Sequence, residues 1–122
     1  MDDVLFEFKR GRTYERDFEI QNYHDEVDKV LFTVCENEGD KNYVLRKSLG
    51  EGITLTDTGT LEDGIPYMDF NLLIDATDTD KMKVDKEYPF DIVLYSGEEK
   101  IPVINGILNL KGTSTKTYNE RR

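Results

Sequence analysis

Glu87-Tyr88-Pro89-Phe90-Asp91-Ile92-Val93-Leu94-Tyr95, a short Ser96-Gly97-Glu98-Glu99 link and then Lys100-Ile101-Pro102-Val103-Ile104-Asn105-Gly106-Ile107-Leu108-Asn109-Leu110 is the stretch that decides the fold class. Tyr88, Phe90, Ile92 and Leu94 fall on alternate positions, so an extended chain gathers them on one face, the period-two mark of a half-buried strand. Pro89 stands near the start of that strand, where a missing donor is tolerated. Ser96-Gly97 turns the chain into a second strand over 100–110, in which Pro102 and Gly106 predict an edge position or a bulge.

Working upstream, the same alternation recurs. Segment 4–9 sets Val4, Phe6 and Phe8 against Leu5, Glu7 and Lys9, and Gly11-Arg12 closes it. Segment 13–20 puts Tyr14, Phe18 and Ile20 on one side and a wet row of Thr13, Glu15, Asp17 and Glu19 on the other. Segment 29–36 is apolar on both faces, which places it centrally in a sheet. Glu36-Asn37-Glu38-Gly39-Asp40 is a turn by composition, with a return arm at 42–48. Gly50-Glu51-Gly52 breaks the chain before a short strand at 53–56, a polar loop at 57–65 and a one-sided strand at 66–74. Only 75–86 accommodates helix, about one turn, with Asp78 or Thr79 capping Asp80-Lys81-Met82-Lys83.

Seven or eight short strands, one helical turn and no internal repeat predict an all-β chain, best fitted by an antiparallel β-sandwich. The expected organisation is one sandwich domain over 1–112 and a flexible C-terminal tail over 113–122, where no periodic apolar pattern remains. At 122 residues the chain is long enough to bury its own core without metals or disulfides. Seven Tyr and six Phe supply the bulky groups that disordered chains lack.

Charge narrows the function classes. With 26 Asp+Glu against 16 Lys+Arg, the net charge is −10, which argues against nucleic acid and anionic membranes as partners, because both draw affinity from Lys and Arg. No apolar run approaches the roughly 20 residues that span a bilayer, and the first residues lack the pattern of a signal peptide. The single cysteine, Cys35, cannot form an internal disulfide and, on the most apolar strand, is expected in the core.

No glycine-rich phosphate loop, paired Cys/His ligands or Gly-x-Ser-x-Gly turn is present, so neither catalysis nor a cofactor is expected. Asp75, Asp78 and Asp80 crowd one loop, the oxygen-rich composition that calcium favours. The spacing fails the helix-loop-helix template, since Lys83 stands where that loop needs Gly and Pro89 where it needs Glu; a solvated loop is the simpler reading. His24 beside Asp25 lacks a nucleophile within the local sequence and reads as a turn histidine. Tyr23, Tyr43, Tyr67, Tyr95 and Tyr118 flank turns or strand ends, where a tyrosine can anchor a protein or carbohydrate. Tyr88, which opens a strand after a loop, is the candidate for a structural tyrosine corner, with a buried ring and a hydrogen-bonded hydroxyl.

The order Asp78-Thr79-Asp80 through Tyr88-Pro89-Phe90-Asp91-Ile92, then Ser96-Gly97, then Asn105-Gly106-Ile107-Leu108-Asn109-Leu110 resembles small immunoglobulin-like phage and prophage proteins of tails and baseplates. It is similar in particular to the N-terminal domain of the baseplate upper protein. Gly11-Arg12-Thr13-Tyr14 and Leu31-Phe32-Thr33-Val34 agree more loosely, so the likeness spans most of 10–110. The resemblance implies an immunoglobulin-like sandwich and a non-enzymatic virion component, assembled in the bacterial cytoplasm and acting through contacts with other virion proteins or with its own copies. A carbohydrate- or peptide-binding module using exposed tyrosines is the alternative.

Overall fold

The structure, a computed structural model, describes residues 4–23 and 26–112. The eight strands are β1 (Val4–Lys9), β2 (Tyr14–Gln21), β3 (Lys29–Val34), β4 (Leu45–Leu49), β5 (Gly52–Thr60), β6 (Pro66–Ile74), β7 (Glu87–Ser96) and β8 (Glu99–Lys111). One 3-10 turn, η1 (Ala76–Thr79), follows β6. The chain is therefore all-β, as its alternation predicts. Among the described residues no helix is long and apolar enough to cross a membrane.

The strands form one continuous sheet in the order β1-β8-β7-β3-β4-β5-β6-β2, curled almost into a barrel. Its two ends, β1 and β2, are neighbours in sequence and meet through side chains. The Phe8 and Tyr14 rings stack at 4.3 Å, and Arg16 lies over the Phe6 ring at 5.2 Å. Alternate residues fill the interior: Val30, Phe32 and Val34 from β3, Phe70, Leu72 and Ile74 from β6, Tyr88, Phe90, Ile92 and Leu94 from β7, and Leu108 and Leu110 from β8. The ring of Phe6 stacks on Phe90 at 4.4 Å at the centre of this core.

Several expectations need correction. The ladder is not wholly antiparallel, because β1 runs parallel to β8 (Val4↔Gly106 to Lys9↔Lys111) and β4 parallel to β5. The first strand reaches the last only after the whole chain between them has wound the sheet, and that crossover allows a parallel pair. In β4–β5 the chain makes a tight jog and keeps its direction, with Gly52 at φ +101°. It thereby stops pairing with β3 and starts pairing with β6.

β5 also extends to Thr60, through residues that read as loop, because Thr58, Gly59 and Thr60 find ladder partners in Met68, Tyr67 and Pro66. The helical turn begins earlier than predicted: Asp75 precedes it, and Asp78 accepts the Asp75 N–H at 2.7 Å. Cys35 lies just past β3 and is half-buried on the outer surface rather than in the core, because Val30, Phe32 and Val34 take the inward positions. In β8 both readings of Pro102 and Gly106 apply locally. Val103 is a bulge residue without a partner on β7, and among the described residues Glu99–Asn105 has no strand on its second side, since the described β1–β8 pairing starts at Val4↔Gly106.

Candidate assembly surface

Two kinds of surface decide what this fold can do: the backbone edges left without a strand and the side-chain rows on the outer faces. β5 pairs with β4 only at Gly52 and Ile53 and with β6 throughout. From Thr54 to Thr60 one side of β5 faces no strand among the described residues. Thr56 bulges here, since Leu55 opposes Phe70 and Asp57 opposes Asp69. The Thr58 N–H turns onto the Asp57 carboxylate at 2.9 Å. Leu55, paired with Phe70 on the inward face, is still 45% exposed because no strand among the described residues covers that side of β5.

The remaining edges are blunted. β1 and β2 seal against each other through Phe8, Tyr14, Phe6 and Arg16. The open half of β8 carries Pro102, Lys100 and the Val103 bulge, devices that discourage edge pairing. The open stretch of β5 has neither proline nor lysine.

The outer face of β2, β6 and β5 is acidic. Glu19 opposes Asp69 and Asp69 opposes Asp57, which makes a row of three carboxylates across three strands that ends at the open side of β5. Desolvation, with Glu19 next, raises the Asp69 pKa above its ordinary value. Two residue pairs along, on the same face, the Asn71 amide donates to both Asp17 (2.9 Å) and Glu15 (3.2 Å) and relieves part of the crowding. Tyr67 lies over Gly59 and donates its hydroxyl to Asp57 at 2.9 Å, a bond that raises the tyrosine pKa.

On the opposite side, a shallow groove of about 440 Å³ crosses β3, β7 and β8. Thr33, Asp91 and Asn105 align across it in register, next to Cys35, Pro89 and Ile107. Burial raises the Cys35 pKa, with Asp40 and Asp91 adding to the shift, so the thiol is held away from its nucleophilic form.

The predicted tyrosines do not gather. Tyr43 is 51% exposed beneath the Arg46 guanidinium, 4.2 Å from its ring, in a second concavity with Lys47, Glu51 and Asp75. Tyr67 belongs to the acidic face, Tyr95 lies under the Lys29 ammonium, and Tyr23 is half-buried with a buried hydroxyl. None of the four lines the 440 Å³ groove. Tyr88 is 2% exposed, and its hydroxyl oxygen accepts the Lys83 N–H at 2.8 Å.

The Asp78 Oδ2 is engaged both by Lys47 at 2.6 Å and by the Asp75 N–H at 2.7 Å, so that oxygen already has two partners within the protein. Among the described residues no group of three or more His, Cys, Asp or Glu is placed to hold a metal ion. His24, Asp25 and Tyr118 lie outside the described residues.

Sequence reasoning missed the β5 edge and Asp57. Their signal was the run Thr54, Thr56, Thr58 and Thr60, β-branched residues at alternate places that carry the 53–56 strand on into the segment that otherwise reads as a polar loop. No protein-family profile matches the chain, and no curated protein sequence is significantly similar to it.

Proposed function

We propose that this protein is a non-enzymatic structural component of a phage or prophage particle, tail- or baseplate-associated, which acts through protein–protein assembly. The observation that carries the assembly reading is the open, unprotected side of β5 from Thr54 to Thr60 beside exposed Leu55. A bare edge offers main-chain donors and acceptors to an incoming strand. The phage setting rests on the sequence resemblance of 78–110. We read the curled sheet as an immunoglobulin-like sandwich whose layers, β1-β8-β7-β3-β4 and β5-β6-β2, are joined by the jog between β4 and β5. The net charge of −10 keeps free subunits soluble and mutually repelled until a specific contact forms. The sugar-binding alternative draws little support from the scattered tyrosines.

The test is light scattering coupled to size exclusion over a concentration series, at low and physiological salt. A defined oligomer that grows in with concentration supports assembly through its own copies. A strict monomer at every concentration overturns self-assembly and leaves another virion protein as the partner to be sought by reconstitution.

A further inference from the structure

An assembly component with an open edge that nothing blunts needs a strand to cover it, and the step taken here rests on that assembly reading. We propose that residues 113–117 of a second copy of this chain add as a strand to Asp57–Thr60, with Lys116 set beside Asp57 at the open end of the carboxylate row Glu19–Asp69–Asp57.

The edge supplies the backbone half of the contact. Asp57–Thr60 follows the bulge at Thr56 and is the regular part of the open stretch. The Thr58 N–H, turned onto the Asp57 side chain, is a donor not committed to a neighbouring strand. The row supplies the charge half. Three carboxylates lie across adjacent strands, and among the described residues none of them is ion-paired, since the ion pairs there, Lys47–Asp78 and Lys111–Glu7, lie elsewhere. Opposite charges placed directly across a strand pair stabilise it, and like charges destabilise it. A lysine one strand further on continues this row with the missing sign.

The segment that follows β8 has the matching composition. In its sequence Thr113, Thr115 and Thr117 alternate with Ser114, Lys116 and Tyr118, a period-two pattern of β-branched residues with a cation between them. Lys116, Arg121 and Arg122 against Glu120 make it the basic end of an otherwise acidic chain.

Topology argues for a second copy. Lys111, where β8 ends, pairs with Lys9, and β8 stands four places from β5 in the sheet order. In a curled eight-stranded sheet, four places is the opposite side. The donating end and the accepting edge thus point away from each other, the geometry of a head-to-tail contact that repeats into a ring or a filament.

The experiment is sedimentation velocity on the full chain and three full-length variants: Lys116→Asp, Asp57→Lys and the double exchange. Circular dichroism confirms that each is folded. Wild type should associate more tightly at low salt than at high salt. Each single variant should weaken the self-association constant by about tenfold, and the double exchange should restore it. Thr58→Pro, which removes the outward donor, should weaken association to a similar extent. If wild type associates and all the variants associate equally, the contact proposed here is wrong while the assembly reading stands. A wild type that stays monomeric to its solubility limit overturns the contact outright. Variant effects on melting temperature without any concentration dependence would mean that the segment covers its own edge, which also overturns the second-copy assignment.

Discussion

Gly106 sets how closely β1 approaches β8. A methyl group there would stand 2.3 Å from the Val4 carbonyl oxygen and 2.4 Å from the Phe90 ring, and neither a paired backbone nor a ring stacked on Phe6 can retreat cheaply. Gly106→Ala is expected to cost about 2–3 kcal/mol, through overpacking at the centre of the core, seen as a lower midpoint in urea with an unchanged slope. Two tyrosines make a paired test of a buried hydroxyl. Tyr88→Phe takes the acceptor from the Lys83 N–H and should cost about 1 kcal/mol, lowering the melting temperature by a few degrees. The Tyr23 hydroxyl is buried with no partner among the described residues, so Tyr23→Phe removes an unsatisfied group and should leave the melting temperature unchanged or raised. If both substitutions destabilise equally, the hydroxyls are equivalent and the role given to Tyr88 fails.

At the scale of elements, the acidic face couples stability to pH. Asp69 has a raised pKa in the folded chain, so the native state binds its proton more tightly than the unfolded chain does. The native state is thus favoured in the acid range, and that advantage is lost as pH rises through the raised value. Asp69→Asn should flatten this part of the stability–pH curve and leave the neutral-pH melting temperature equal to or above that of wild type, as thermal melts at closely spaced pH values can show.

The elements themselves show what alternation can and cannot reveal. β1, β2, β6 and β7 were legible because each places a bulky residue on every second position of one face. β5 was legible only over 53–56; its continuation to Thr60 was hidden because its stabilising partners are backbone groups of β6, and Thr, Asp and Gly side chains carry no apolar period. The cap of η1 is Asp75, three or four residues before the Asp78 or Thr79 that the sequence offered, since Asp75, Asp78 and Asp80 are chemically alike and only the Lys47 contact singles out Asp78. The parallel pairs were illegible, because a period reports which face is buried and says nothing of the neighbour. The candidate site was less legible still: composition marked the tyrosines, while the open edge is a property of pairing.

For the whole molecule, closure depends on side chains at one seam. β1 and β2 meet through rings and a guanidinium, not through a ladder, so the amides on their outer sides should exchange with solvent faster than those of β7 or β3. Tyr14→Ala should speed exchange throughout β1 and β2 while leaving β5–β6 protection unchanged. A uniform loss of protection would mean that the sheet opens as one unit.

The parallel pairing of β1 with β8 has a mechanical side. Val4 stands beside Gly106 at one end of that pair and Lys9 beside Lys111 at the other. Tension applied through the chain before Val4 and after Lys111 pulls the two strands lengthwise past each other and loads the six registered positions together instead of peeling them one at a time. A sheet gripped in this shear geometry resists stretching far better along its own termini than from a pair of attachment points across the β7–β8 hairpin. Single-molecule pulling from the two handle positions would show it as a large difference in rupture force.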